Sequence, residues 1–204
     1  QIRHWLKQVV LAILYYSGAL WLFAVTRLRG RIVVLTYHRV IPRPLQTDSF
    51  SSPGIVVSPE TFELHMRFLR RYMHPICVTE LAELVRSGVR PKLGTCVVTF
   101  DDGWYDNLEH ALPILRRFDI PAVLFVATDY IGTGRCFWQE RLARQLFGVR
   151  HMAGARELLA DLGLAAVETL GESEARLRIR DVVTELKSRP AEVVERLFAS
   201  LETF

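Results

Sequence analysis

The apolar positions of this chain fall into three patterns, each predicting a different kind of element. Near the N-terminus, residues 9–25 (VVLAILYYSGALWLFAV) run without a charge. As one helix the run would span roughly 25 Å at about 1.5 Å per residue, the lower edge for a bilayer core of about 30 Å. It reads as a membrane anchor helix, as a helix lying in the membrane interface, or as a helix packed on the folded domain. Three shorter apolar runs follow: residues 32–35 within RIVVLTYHRV, residues 95–100 (TCVVTF) and residues 120–128 (IPAVLFVAT). Unbroken and rich in β-branched residues, they predict strands covered on both faces.

Between and after these runs the apolar spacing changes to that of helices. In SPETFELHMRFLRRYM, Ser58 caps, Pro59 takes the first helical position and Glu60 suits the positive helix end. Phe62, Met66, Leu69 and Met73 mark its buried face. Thr79 is read as the cap of a second helix that carries Leu81, Leu84 and Val85 and stops at Gly88. A third helix carries Leu112, Leu115 and Phe118, with Pro113 in its first turn. From Trp138 onward the sequence reads as helices only, and no strand is evident after Val126.

Strands alternating with helices define an α/β fold with a parallel sheet and right-handed crossovers. The expected organisation is an N-terminal hydrophobic segment with basic flanks over 1–31, an α/β domain over 32–138 and a helical insertion or cap over 139–204. At 50% hydrophobic and 24% charged residues the chain is not disordered by composition. Its net charge of +4 is too small to indicate nucleic acid. Much of that charge flanks the N-terminal run (Arg3, Lys7, Arg27, Arg29, Arg31), which makes a membrane surface the expected anionic partner. Cys77, Cys96 and Cys136 form no CxxC pair and are read as buried small hydrophobes. The chain starts at Gln1 rather than Met and ends inside a helical pattern, so a piece of a longer protein is expected.

The candidate chemistry sits where the strands end. Asp101, Asp102 and Gly103 follow the second strand without a gap, Tyr37 and His38 close the first, and Thr128 and Asp129 close the third. In parallel α/β sheets functional groups collect at these carboxyl ends. Adjacent residues leaving a strand point in different directions. Two neighbouring aspartates can therefore serve two roles, one as a metal ligand and one as a base, while Gly103 permits a sharp turn. Asp is also a common turn residue, so the tripeptide alone is a weak signal.

The context makes it specific. TFDDG at the end of an apolar strand, followed by ALPILRRFDIPAVLFV, resembles the polysaccharide deacetylase family, also called the NodB homology domain or carbohydrate esterase family 4. LTYHRV, SPETFELHMRFLRRY and the FW after the third strand are similar to the same family, so the resemblance covers about residues 33–138. It implies a distorted TIM-like (β/α) barrel, here incomplete. It implies a metal-dependent hydrolase that removes N-acetyl groups from an amino-sugar polysaccharide or glycolipid of the cell envelope, on the periplasmic or extracellular side. Carried over by position, Asp101 is the catalytic base and Asp102 a ligand of a divalent metal, usually zinc and sometimes cobalt or nickel. His38, Gly103 and Tyr37 are expected neighbours of the site.

One part of the family pattern is missing. The metal site of the family is completed by H-[S/T]-x-x-H, and no two of His4, His38, His65, His74, His110 and His151 lie four apart. Either the second motif lies outside this sequence, with residues 139–204 inserted before it, or the chain is a non-catalytic relative that binds glycan or serves as a scaffold. The sequence leaves the oligomeric state open.

Overall fold

The computed structural model describes residues 2–46 and 48–204. In chain order the first elements are helices α1 (Ile2–Tyr16) and α2 (Ala19–Leu28), strands β1 (Val33–Tyr37) and β2 (Arg39–Val40), the short helix α3 (Arg43–Gln46) and β3 (Val56–Val57). Then come α4 (Pro59–Tyr72), β4 (His74–Pro75), α5 (Val78–Ser87), β5 (Thr95–Phe100), α6 (Leu112–Phe118) and β6 (Ala122–Leu124). Four helices close the chain: α7 (Trp138–Val149), α8 (Arg156–Asp161), α9 (Glu172–Leu186) and α10 (Ala191–Leu201). This is a mixed α/β protein whose strand pairs are all parallel among the described residues. The contacts divide it into two compact units, one holding the residues up to His38 with Glu60–Phe125, the other Arg39–Pro59 with Val126–Phe204.

The first unit is built around β5. Every residue of this strand is buried, and the strand has neighbours along both edges. β1 pairs with it from Val33↔Cys96 to Tyr37↔Phe100. β4 pairs with Thr95 and Cys96, and β6 with the segment from Val98 to Phe100, so these two short strands share the other edge. Three residues of the predicted α4 face pack here, with Phe62 and Met66 fully buried and Leu69 nearly so, whereas Met73 lies just past the helix end and is half-buried; each fully buried side chain contributes about 1.5–3 kcal/mol. The Tyr37 ring meets Phe62 edge-on at 4.9 Å, and its hydroxyl is hydrogen-bonded to His65 Nδ1 at 3.0 Å.

The outer strands depart from the expectation of strands buried on both faces. Val34 of β1 is 55% exposed and Leu124 of β6 is 48% exposed. Each pairs with β5 alone, so an apolar run that looks central in sequence lies at the rim of the sheet. β6 is also only three residues long.

The run over residues 9–25 is not one helix. Ser17 and Gly18 separate α1 from α2, with Gly18 in the left-handed region at φ 74°. Ser17 Oγ donates back to the Leu14 carbonyl at 3.3 Å, and the Ala19 N–H donates to Ser17 Oγ at 3.4 Å. The serine thus ends one helix and starts the next, in the manner of local side-chain competition with the helix ladder. No helix among the described residues is long and apolar enough to cross a membrane.

Two further corrections concern caps and cysteines. α5 begins one residue before Thr79: Cys77 is its cap, and Glu80 accepts the Cys77 N–H at 3.1 Å in a capping box. Only Cys96 is buried, Cys77 and Cys136 are half-buried, and all three are free thiols.

Burial pushes the Tyr37 hydroxyl up to about 12, with the neighbouring Cys96 adding to the shift, and pushes the Cys96 thiol up to about 11. Their ordinary values are 10.0 and 9.0. Between these limits the unfolded chain has released protons that the folded chain still holds, so stability falls with rising pH there. The contribution is complete below about pH 9 and drains away up to about pH 12. Urea unfolding at stepped pH should show a midpoint that declines across this window, and less steeply in Tyr37→Phe. An identical decline in that variant would rule Tyr37 out as a source.

The second unit has its own core. Leu142 and Leu146 of α7 and Ile179 of α9 are completely buried, packed with Val183 and with Leu197 and Leu201 of α10. β2 and β3 form a two-stranded parallel pair beside it in sequence, from Arg39↔Val56 to Val40↔Val57. A polar cluster is buried in this unit. Ser51 Oγ donates to Glu140 Oε1 at 2.6 Å, and Arg39 Nη1 donates to Ser51 Oγ at 2.7 Å while lying 3.6 Å from Glu140.

Candidate active site at the end of the central strand

The register of β1 on β5 builds the site. Tyr37 lies opposite Phe100, and the Asp101 N–H continues the ladder by donating to the Tyr37 carbonyl at 3.0 Å. The next residue of each strand is therefore brought side by side. These are His38 and Asp101, with His38 Nε2 3.7 Å from Asp101 Oδ2. Both side chains are about one-third exposed, at 32% and 38%. They are reachable from solvent yet held on a rigid strand end.

Asp102 and Gly103 then turn the chain sharply, both in the left-handed region at φ 74° and 75°. Glycine adopts this conformation freely, and Asp is among the few other residues that tolerate it. The turn separates the two carboxylates. Asp101 faces His38, whereas Asp102 Oδ2 accepts a hydrogen bond from Trp104 Nε1 at 3.1 Å. Trp104 was given no role by the sequence reading; an indole donor two residues past a turn aspartate was the available signal.

The remaining expected neighbours are placed differently. Tyr37 touches the site through its carbonyl, while its side chain turns into the core. Thr128 and Asp129 lie in a 3-10 turn, Thr128–Tyr130, of the second unit, where the Asp129 carbonyl accepts from Arg135 at 2.6 Å. Asn107, also unassigned from sequence, sits buried in a π-helical turn, Asn107–Ala111, after the aspartates. Neither of its amide atoms has a hydrogen-bond partner among the described residues.

A catalytic zinc normally takes three protein ligands and one open position. Among the described residues no group of three or more His, Cys, Asp or Glu side chains is placed to hold a metal ion. Asp102 can offer one carboxylate, and the donors present do not amount to a ligand set. The chemistry that this arrangement can perform by itself is that of a partly exposed carboxylate on a strand end fixed by a backbone hydrogen bond and facing an imidazole: it can accept a proton from a bound water.

Comparison with known proteins finds partial matches. Residues 89–162 match the model of the polysaccharide deacetylase family. The resemblance read from TFDDG is thus shown for this part of the chain. YxkH of Bacillus subtilis (strain 168), which carries a polysaccharide deacetylase name, is 25% identical over 114 residues, covering 55% of this chain and 38% of YxkH. Among solved structures, IcaB from Ammonifex degensii is 27% identical, covers 55% of this chain and 47% of its own, and superposes with a TM-score of 0.44. The Streptococcus pyogenes deacetylase PplD, in complex with acetate, is 16% identical, covers 73% of this chain and 80% of its own, and has a TM-score of 0.43. The chain spans less than half the length of YxkH and of IcaB.

Proposed function

We propose that the chain belongs to a metal-dependent hydrolase that removes N-acetyl groups from an amino-sugar polysaccharide or glycolipid of the cell envelope. One observation carries the reading. Two adjacent carboxylates leave the buried central strand and are given separate partners, His38 and Trp104, as two different roles require. Asp101 is the base that accepts a proton from the attacking water. Water adds across the amide C–N bond, giving acetate and a free amine. Asp102 is one ligand of a divalent metal, zinc or else cobalt or nickel, and such an ion would polarise the acetamide carbonyl. His38 supports the Asp101 carboxylate, and Gly103 leaves room for the substrate. The fold in this reading is the distorted (β/α) barrel of the NodB type, present in part over 32–138. Residues 139–204 form a helical insertion or cap, and residues 1–31 an anchoring segment.

The N-terminal segment is proposed to lie in a membrane interface on the periplasmic or extracellular side. In support, Ile13, Tyr15, Tyr16, Leu22 and Phe23 are all more than half exposed on two short helices. Apolar and aromatic residues of this kind suit an in-plane helix.

The test is acetate release from N-acetylated glucosamine oligomers by the whole protein, before and after a chelator. Release that stops on chelation and returns with zinc supports the reading. Glycan binding without any acetate release, unchanged by the chelator, would replace it with the non-catalytic one.

A further inference from the structure

The second unit contains a cleft unrelated to the aspartate pair. It has a volume of about 320 Å³ and lies between the segment around Arg43–Ser51 and the first two turns of α9. Its polar lining comes from Arg43, Gln46, Ser49, Ser51, Ser173, Arg176 and Arg180. Three arginines line it, and no carboxylate does among the described residues.

The arginines are held, not merely nearby. Arg176 and Arg180 are one helical turn apart, so they share a face of α9. The Arg176 guanidinium lies over the Phe147 ring at 4.2 Å and the Phe50 ring at 5.0 Å. One of its nitrogens donates to the Asp48 carbonyl at 3.2 Å. Its Nε is buried with no hydrogen-bond partner among the described residues. Arg180 makes one long hydrogen bond, 3.5 Å, to the Ser51 carbonyl. Neither Arg43 nor Arg180 has a carboxylate within 4.0 Å among the described residues. Glu172 lies 3.9 Å from Arg176 and equally far from Arg150, and its side chain is 71% exposed; Glu140, behind Ser51, is taken up by Ser51 and Arg39. Ser49 Oγ accepts from the Ser51 N–H at 3.0 Å, which leaves its own proton to donate into the cleft.

Positive groups concentrated this way repel one another and raise the local concentration of anions. Stacking on aromatic rings fixes the guanidinium plane, and a fixed fork binds phosphate or carboxylate oxygens in pairs. The volume is at the lower end for small-ligand pockets, about 300–1,000 Å³, which fits one sugar-sized molecule. We propose that this cleft is a binding site for a sugar-sized ligand bearing an oxyanion, phosphate or carboxylate. It is independent of the deacetylase reading, since none of its residues takes part in that chemistry.

Isothermal titration of the 204-residue chain with glucose 6-phosphate, glucuronate and glucose tests this. One or both anionic probes should bind, glucose should not, and binding should weaken as sodium chloride rises. The stronger of the two anions identifies the oxyanion source. The double variant Arg43→Gln/Arg180→Gln should lower the affinity at least tenfold with an unchanged unfolding midpoint. Arg43→Gln alone, at an exposed position, gives a smaller loss with no demand on folding. Asp101→Asn should bind as the parent does, which separates this site from the catalytic one. The proposal fails if neither anion binds, if glucose binds as tightly, or if Arg43→Gln and the double variant both keep the parent affinity.

Discussion

On the proposed reading, replacing Asp101 by Asn in the whole protein is expected to lower acetate release by about 10²–10⁴-fold, the usual contribution of a positioned general base. The carboxamide is nearly isosteric, so the ladder hydrogen bond from the Asp101 N–H to the Tyr37 carbonyl stays intact. The proposed proton acceptor is lost while the strand end keeps its shape. Metal content measured alongside should be unchanged. For Asp102→Asn in the whole protein the proposed role predicts the reverse pattern: metal content falls, and activity falls with it. Trp104 Nε1 can still donate to the carboxamide oxygen, so that variant should fold normally. His38→Gln is informative because it leaves both carboxylates in place and removes only the imidazole at 3.7 Å. If Asp101→Asn and Asp102→Asn both released acetate at the parent rate, the roles assigned to the two aspartates would be wrong.

Removing the Glu140 carboxylate should destabilise the second unit by about 3–5 kcal/mol, as breaking a buried ion pair does. Arg39 and Glu140 are 17% and 9% exposed, and Ser51 is hydrogen-bonded to both. In Glu140→Ala the Arg39 guanidinium keeps its burial without this carboxylate, and the Ser51 hydroxyl loses its acceptor. Glu140→Gln should cost less, because the amide oxygen still accepts from Ser51. Adding Arg39→Met to Glu140→Ala should recover part of the loss, since the half-buried cation that faced Glu140 is removed with it. Urea unfolding of the four proteins measures these steps. A Glu140→Ala cost below about 0.5 kcal/mol, the range of ordinary surface substitutions, would mean that water replaces the carboxylate without penalty.

How much of this was legible beforehand depended on how local each signal is. Pro59 and Glu60 marked the start of α4, and the Phe62, Met66 and Leu69 spacing marked its buried face. Both signals act within a few residues. β5 was found for the same reason, as an apolar β-branched run ending at two aspartates. The division of the run over residues 9–25 was missed because hydropathy averages over Ser17 and Gly18, whereas the Ser17 hydroxyl and the Gly18 conformation end the helix there. The cap of α5 was missed because Cys is an uncommon cap; the Glu80 side chain closing on the Cys77 N–H made it one.

The sequence by itself determined the class of fold, the α4 face, the strand that ends in the aspartates and the aspartate pair itself, because periodicity, turn chemistry and a local motif suffice for each. Only the tertiary structure decided which strand is central and which are rims, since an apolar run looks the same with one paired neighbour or two. It alone set His38 beside Asp101, across a register that joins residues 63 positions apart. It alone grouped Arg39, Ser51 and Glu140, and gathered Arg43, Arg176 and Arg180 around one cleft. Such contacts depend on where the backbone returns after dozens of residues, and no local pattern in the sequence encodes that.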